Sequence, residues 1–294
     1  MKIIQNRKIF LIISGILIIG SILALATLGL KWSIDFTGGT LIEVEYVNER
    51  PINQTIQEQI AELELGQVSI QSAGQNGVIL KMKDINETVH QDILNRMGNG
   101  NIVEKRFESV GPLIGAELKR KSVWAIILSL IAIILFIAYT FRKVSKPVPS
   151  WQYGIAAIIA LFHDILITCG LFAIIGHFRG VEVGLPFVAA LLTILGYSVN
   201  DTIVIFDRSR DNLLRTDWDD FENTINLSIN QSIVRCLNTS ITTLLVLLSI
   251  FFLGGESIKY FSLALIFGVI LGTYSSIFIA SSLVVMWYKR KQNR

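Results

Sequence analysis

The chain has 294 residues, 52% of them hydrophobic and 17% charged, with a mean hydropathy of +0.56. Soluble domains carry more charge and fewer long apolar runs, so the composition excludes an ordinary soluble protein. A net charge of +3 is too small for a nucleic-acid surface, and the two cysteines, Cys169 and Cys236, lie in or beside apolar stretches, which excludes a disulfide framework.

Lys2, Arg7 and Lys8 precede an apolar run from Ile9 to about Leu28. Ala24-Leu25-Ala26 imitates a signal-peptidase site, but a signal peptide's apolar region is only ~7–15 residues long. The run reads as a retained transmembrane helix, with cleavage as the alternative. In all, six segments, roughly 9–29, 122–141, 153–176, 185–206, 234–253 and 258–287, approach the ~20 residues needed to cross a bilayer core.

Lys and Arg placement sets the orientation. One set of connections holds Lys2, Arg7 and Lys8; Arg142, Lys143 and Lys146; Arg208, Arg210 and Arg215; and Lys289, Arg290, Lys291 and Arg294. The opposite short loops hold only Arg179 and Lys259. The first set, with both termini, is expected to be cytoplasmic. Lys119-Arg120-Lys121 falls on the other side, after a long domain, where charge bias counts for less.

The stretch 31–121 then lies outside the cytoplasm. Leu41–Tyr46 alternates, with Ile42, Val44 and Tyr46 on one face and Glu43 and Glu45 on the other, which predicts a strand. Ile52, Ile56, Ile60 and Leu63 recur at helical spacing. Val68–Gln71 and Val78–Lys83 read as strands separated by Gly74 and Gly77. Val89, Ile93 and Met97 mark a second helix behind the cap Asn86, and Ile102–Ser109 reads as a last strand. The order β-α-β-β-α-β is the ferredoxin-like α+β arrangement. The domain has no His/Cys cluster, nucleophile elbow or phosphate loop. It reads as a binding or mechanical domain rather than an enzyme, and no metal is expected.

Between the fourth and fifth spans, Thr216-Asp217-Trp218-Asp219 resembles a capping box. Trp218, Phe221, Ile225 and Ile229 follow on one face, so 207–233 is expected to hold an amphipathic helix. It lies at the membrane surface, against lipid, or packs on a partner. The division expected is 1–30 for the first span, 31–121 for the outer domain and 122–294 for a five-helix membrane domain.

Ionisable groups inside apolar spans point to function, because burying them in lipid is unfavourable by several kcal/mol. In the fourth span Thr193, Tyr197, Asn200 and Asp201 share a helical face. In the fifth, Arg235, Asn238, Thr239 and Thr242 do the same, and Arg235 belongs to the same leaflet as Asp201. The third span carries His163-Asp164 near its middle. A buried Asp–Arg pair serves either to hold two helices together or to load and release a proton. The His-Asp pair admits the same two readings, a hydrogen bond between helices or a relay. Gly268 and Gly272, followed by Ser276, are spaced for close helix packing.

Several of these stretches resemble the SecD/SecF family of protein-export membrane proteins. Ile34-Asp35-Phe36-Thr37-Gly38-Gly39-Thr40 is similar to that family's Asp-Phe-x-Gly-Gly signature, with Asp35, Gly38 and Gly39 as its fixed points. Val110-Gly111-Pro112, with Gly115 and Glu117-Leu118, is similar to its approach to the second span. His163-Asp164 matches its His-Asp motif. Gly196-Tyr197-Ser198-Val199-Asn200-Asp201-Thr202, continuing to Phe206-Asp207-Arg208, is the most specific match, and Gly254-Gly255 and the Gly268–Ser276 run complete it. Asp211-Asn212 departs from the family's frequent Glu-Asn. The small single outer domain and the Gly-Tyr-Ser-x-Asn-Asp-Thr version resemble the SecF branch.

That resemblance implies a resistance-nodulation-division type fold and a role in the bacterial plasma (inner) membrane. The chain would pair with SecD and assist the SecYEG channel and the SecA motor, using the proton motive force to complete preprotein export. It implies no cofactor other than an ion gradient, proton or sodium. It carries proton coupling onto Asp201 and Arg235; the readings of Asn200, Asp164 and His163 stand beside them. A non-motor scaffold and a small-molecule exporter are the competing readings.

Overall fold

The computed structural model describes residues 1–98, 100–140, 148–215 and 220–292. Arg142, Lys143, Lys146, Arg294 and the capping box at 216–219 lie outside them. Among the described residues six helices are long and apolar enough to cross a membrane. They are α1 (Arg7–Thr27), α5 (Pro112–Thr140), α6 (Ser150–Arg179), α7 (Leu185–Arg215), α8 (Phe221–Leu253), and a last span built from α9 (Glu256–Tyr274), a π-helical turn (Ser275–Ala280) and α10 (Ser281–Gln292). Their ends obey local rules. Pro112 sits at the first position of α5, where a missing N–H is harmless. Gly180 closes α6 in the left-handed conformation and donates its N–H to the Gly176 carbonyl.

The chain divides into two compact units, 1–31 with 124–294, and 32–123. In the second unit a four-residue helix α2 (Ile34–Thr37) is followed by β1 (Gly39–Tyr46), α3 (Asn53–Ile60), β2 (Ser69–Ala73), β3 (Gly77–Met82), α4 (Glu87–Gly98) and β4 (Ile102–Val110). The sheet order is β2-β3-β1-β4, with every neighbouring pair antiparallel. Alternation in β1 buries Ile42, Val44 and Tyr46 against Ile56 and Ile60 of α3 and Ile93 and Met97 of α4. Asn86 caps α4 by accepting the Val89 N–H at 3.0 Å. Leu63 leaves the α-helix for a 3₁₀ turn, Ala61–Leu63, and Ile52 is exposed at the N-cap of α3.

The glycine pair after α2 is a backbone requirement. Gly38 has φ +74°, and a Cβ there would lie 2.8 Å from Pro112 Cα; at Gly39, φ +131°, it would lie 2.7 Å from the Met82 carbonyl oxygen. Any larger residue would push β1 off β3 and off the start of α5.

In the membrane unit, the third, fourth and sixth spans are the most enclosed and α5 the least. Small residues set the approaches. A Cβ on Gly170 of α6 would lie 2.6 Å from Ser21 Cα on α1, one on Gly272 would lie 2.8 Å from Ser198 Cβ on α7, and one on Gly268 would strike the buried Ile194. The stretch 207–233 differs from expectation. It is no separate helix on the membrane surface, because α7 runs to Arg215 and α8 starts at Phe221 and continues unbroken. Its apolar face is used within the chain: Leu213, Phe221, Ile225 and Ile229 bury with Ile3 and Ile4 in one cluster. Asn226 fixes that contact by accepting the Ile3 and Ile4 N–H groups.

Candidate functional site

The polar side chains inside the membrane unit form two linked groups. The first centres on Asp164, which has no exposed surface. Its Oδ2 accepts from Ser198 Oγ of α7 at 2.6 Å and from Ser275 Oγ of the π-turn at 2.7 Å. Its Oδ1 lies 2.9 Å from His163 Nδ1, and His163 Nε2 lies 3.2 Å from Ser14 Oγ of α1. Ser14 donates to the Tyr274 hydroxyl at 3.2 Å, and Tyr274 donates to the Phe10 carbonyl at 2.8 Å. Asp164 thus draws hydroxyls from α7 and the last span, while His163 reaches α1. A buried carboxylate requires such donors, since an unpaired one is strongly disfavoured. Thr168 is absorbed by its own helix, donating to the Asp164 carbonyl at 2.8 Å.

The second group centres on Asp201, 2% exposed. Cys236 of α8 and Thr273 of α9 lie beside it, and Arg235 contributes through its charge. One carboxylate oxygen, Oδ2, is buried without a hydrogen-bond partner. Ser240 and Thr273 bond each other, and Tyr197 donates to Ser240 at 3.3 Å. The groups meet on α7: Thr202 and Ser276 hydroxyls are 2.7 Å apart, and Ser276 donates to the Ser198 carbonyl at 3.0 Å.

The faces read from the sequence divide. Asp201 turns inward and Tyr197 half inward, while Thr193, Gly196 and Asn200 are exposed. On α8, Arg235, Asn238, Thr239 and Thr242 are exposed, and the buried stripe is Ser232, Cys236 and Ser240 at four-residue spacing. Among the described residues no ion pair joins Asp201 to Arg235. Cys236, the next residue on α8, takes the buried position beside Asp201 instead. Gly268 and Gly272 act as packing points, as their spacing predicts. Asp35 lies in the first turn of α2, where the Ser33 hydroxyl accepts its N–H at 3.2 Å. Sequence reasoning missed Ser14, Ser198, Thr273, Tyr274 and Ser275. Serines in apolar spans are common, and only convergence on the His163–Asp164 pair distinguishes Ser14, Ser198 and Ser275. Among the described residues no group of three or more His, Cys, Asp and Glu is placed to hold a metal ion.

Comparison with known proteins gives the site a context. A profile for the C-terminal region of the protein export membrane proteins SecD/SecF matches residues 89–290, and one for the SecD/SecF GG motif matches 23–48. The chain is 41% identical to the protein translocase subunit SecF of Thermobaculum terrenum, over 97% of this chain and 93% of that one. It is 39% identical to that of Vibrio alginolyticus, over 95% and 87%. The crystal structure of SecDF from Thermus thermophilus, described as a translocon-associated membrane protein, superposes with a TM-score of 0.84 at 31% identity. It covers 100% of this chain, which spans 39% of that longer chain. On these matches the chain is a multi-pass membrane protein that belongs to the SecD/SecF family of protein export membrane proteins, on its SecF side.

Proposed function

We propose that the chain is the SecF-type half of an export auxiliary that couples an ion gradient to preprotein movement. The observation that carries the reading is Asp201, a carboxylate buried in a membrane span with one oxygen unpartnered. An ionised carboxylate out of water is strongly disfavoured unless donors or a cation approach it. Arg235, one residue from Cys236, is the cation available on the neighbouring helix. In this reading an alternate packing of α7 and α8 brings Arg235 to Asp201 and expels the proton. Moving one charge through 100 mV supplies ~2.3 kcal/mol, enough to shift a two-state equilibrium more than tenfold.

Exposed polar groups in the spans, Asn200, Arg235, Asn238 and Thr239, support a membrane partner that covers them. A SecD-type protein fits that role, with SecYEG, SecA and the preprotein as the wider assembly. The Lys and Arg distribution favours cytoplasmic termini in a bacterial plasma membrane, with the 32–123 unit outside. A non-motor scaffold is the second reading, favoured by the separation of Arg235 from Asp201. The deciding experiment is preprotein export in inverted membrane vesicles, with proton and sodium gradients imposed separately. Stimulation by the proton gradient alone supports the first reading, stimulation by sodium alone reassigns the ion, and indifference to both leaves the scaffold.

A further inference from the structure

The bonds around His163 fix a proton count. Tyr274 uses its single hydrogen on the Phe10 carbonyl at 2.8 Å, so it accepts from Ser14. Ser14 uses its single hydrogen on Tyr274 and is therefore an acceptor toward His163 Nε2. Nε2 must then carry a hydrogen. On the other side Ser198 and Ser275 both donate to Asp164 Oδ2, which leaves Oδ1 facing His163 Nδ1. With every bond made, a further proton lies between Oδ1 and Nδ1. Placed on the ring it gives an imidazolium beside a carboxylate, and placed on Asp164 it gives two neutral groups. Both arrangements have the same total charge and the same hydrogen-bond pattern.

We propose that Ser14 and Tyr274 are positioning residues that make His163 and Asp164 a one-proton store, enclosed by the first, third, fourth and sixth spans and separate from Asp201. The inference rests on the gradient-coupling reading above and adds a second ion-handling site to it. When the store empties, the proton on Nε2 passes to water and His163 keeps only the hydrogen on Nδ1. Nε2 becomes an acceptor, and the Ser14 hydroxyl rotates from Tyr274 to it. Emptying therefore breaks the Ser14–Tyr274 bond, one of two hydrogen bonds that join α1 to Tyr274, while the bond from Tyr274 to the Phe10 carbonyl persists. The surrounding groups permit this. α1 faces the pair with Ser14 and α7 with Ser198, while the last span contributes Tyr274 and Ser275; Asp201 turns toward Cys236 and Thr273. Among the described residues Asp164 has no Lys or Arg ion-pair partner.

The test is ¹⁵N NMR of histidine-labelled full chain in lipid nanodiscs. The chain has three histidines, and His163 is assigned by its loss in His163→Gln. The expected spectrum at neutral pH has Nε2 protonated, as the bonds through Ser14 and Tyr274 require, and the step to the Nδ1–H form marks emptying. Tyr274→Phe removes the acceptor that only the loaded state uses, so the step should move toward acid by about tenfold in proton concentration, the equivalent of one lost hydrogen bond. In a Ser14→Ala background the same substitution should have no effect on the step. A bare Nε2 at neutral pH overturns the proposal without any variant. So does a Tyr274→Phe midpoint within twofold of the wild type. The two readings fail separately. Gradient-driven export with a bare Nε2 removes the store and leaves the coupling. A normal His163 step with export indifferent to any gradient removes the coupling and leaves the store.

Discussion

Ser198 donates its hydroxyl hydrogen to Asp164 across 2.6 Å, and so ties the fourth span to the carboxylate of the third. Ser198 lies three residues before Asp201 on the same helix, so one short stretch of α7 touches both buried acids.

Loss of that bond should be measurable. Ser198→Ala leaves the Asp164 carboxyl with Ser275 and His163 but one donor short, which lowers stability by about 1–3 kcal/mol. Thermal unfolding in detergent should show a lower midpoint. Ser198→Thr retains the hydroxyl but adds a methyl where Gly272 already packs closely, so it should rescue only in part.

The contact between α7 and α9 makes a contrasting pair of predictions. Gly272→Val inserts atoms where even a Cβ would lie 2.8 Å from Ser198 Cβ. It should destabilise the chain by about 1–3 kcal/mol or more, because neither helix has room to yield. Gly196→Ala on α7 meets nothing within 4 Å. In the chain on its own it should leave the unfolding midpoint unchanged or slightly raised.

Glu87 at the start of α4 gives a pH prediction outside the membrane. Its carboxylate is held below the ordinary value of 4.5 by hydrogen bonds from Gln91 and then His90. A depressed carboxyl stabilises the fold above its unfolded value and loses that contribution as pH falls through its folded value. Amide exchange in the first turn of α4 should therefore accelerate below about pH 4.5. In Glu87→Gln the acid-dependent part should vanish.

Much of the architecture was legible in the sequence because it follows from length and period. Six apolar runs became six helices, and alternation in 41–46 with the Asn86 cap located β1 and α4. The boundaries of the fourth and fifth spans were not legible. Hydropathy falls after Phe206, but α7 continues because Leu213 buries in the same cluster as Ile225 and Ile229 of α8 and Ile3 and Ile4 of the N-terminal segment. That contact joins residues more than 200 positions apart, and no local pattern reports it. The acids of the site were visible as charges in lipid-length segments. Their partners were not, because Ser14, Ser198 and Ser275 acquire meaning only when three helices converge. Helix rotation explains the remaining difference: a polar face is easily read on α8, but Cys236, one residue past Arg235, is the side chain that points inward beside Asp201.

The most direct test of the coupling account is preprotein export in vesicles carrying Asp201→Asn under an imposed proton gradient, with assembly of the partner complex measured in the same membranes. The account predicts assembled complexes whose export no longer responds to the gradient. Gradient-stimulated export at the wild-type rate from the Asp201→Asn chain would contradict it.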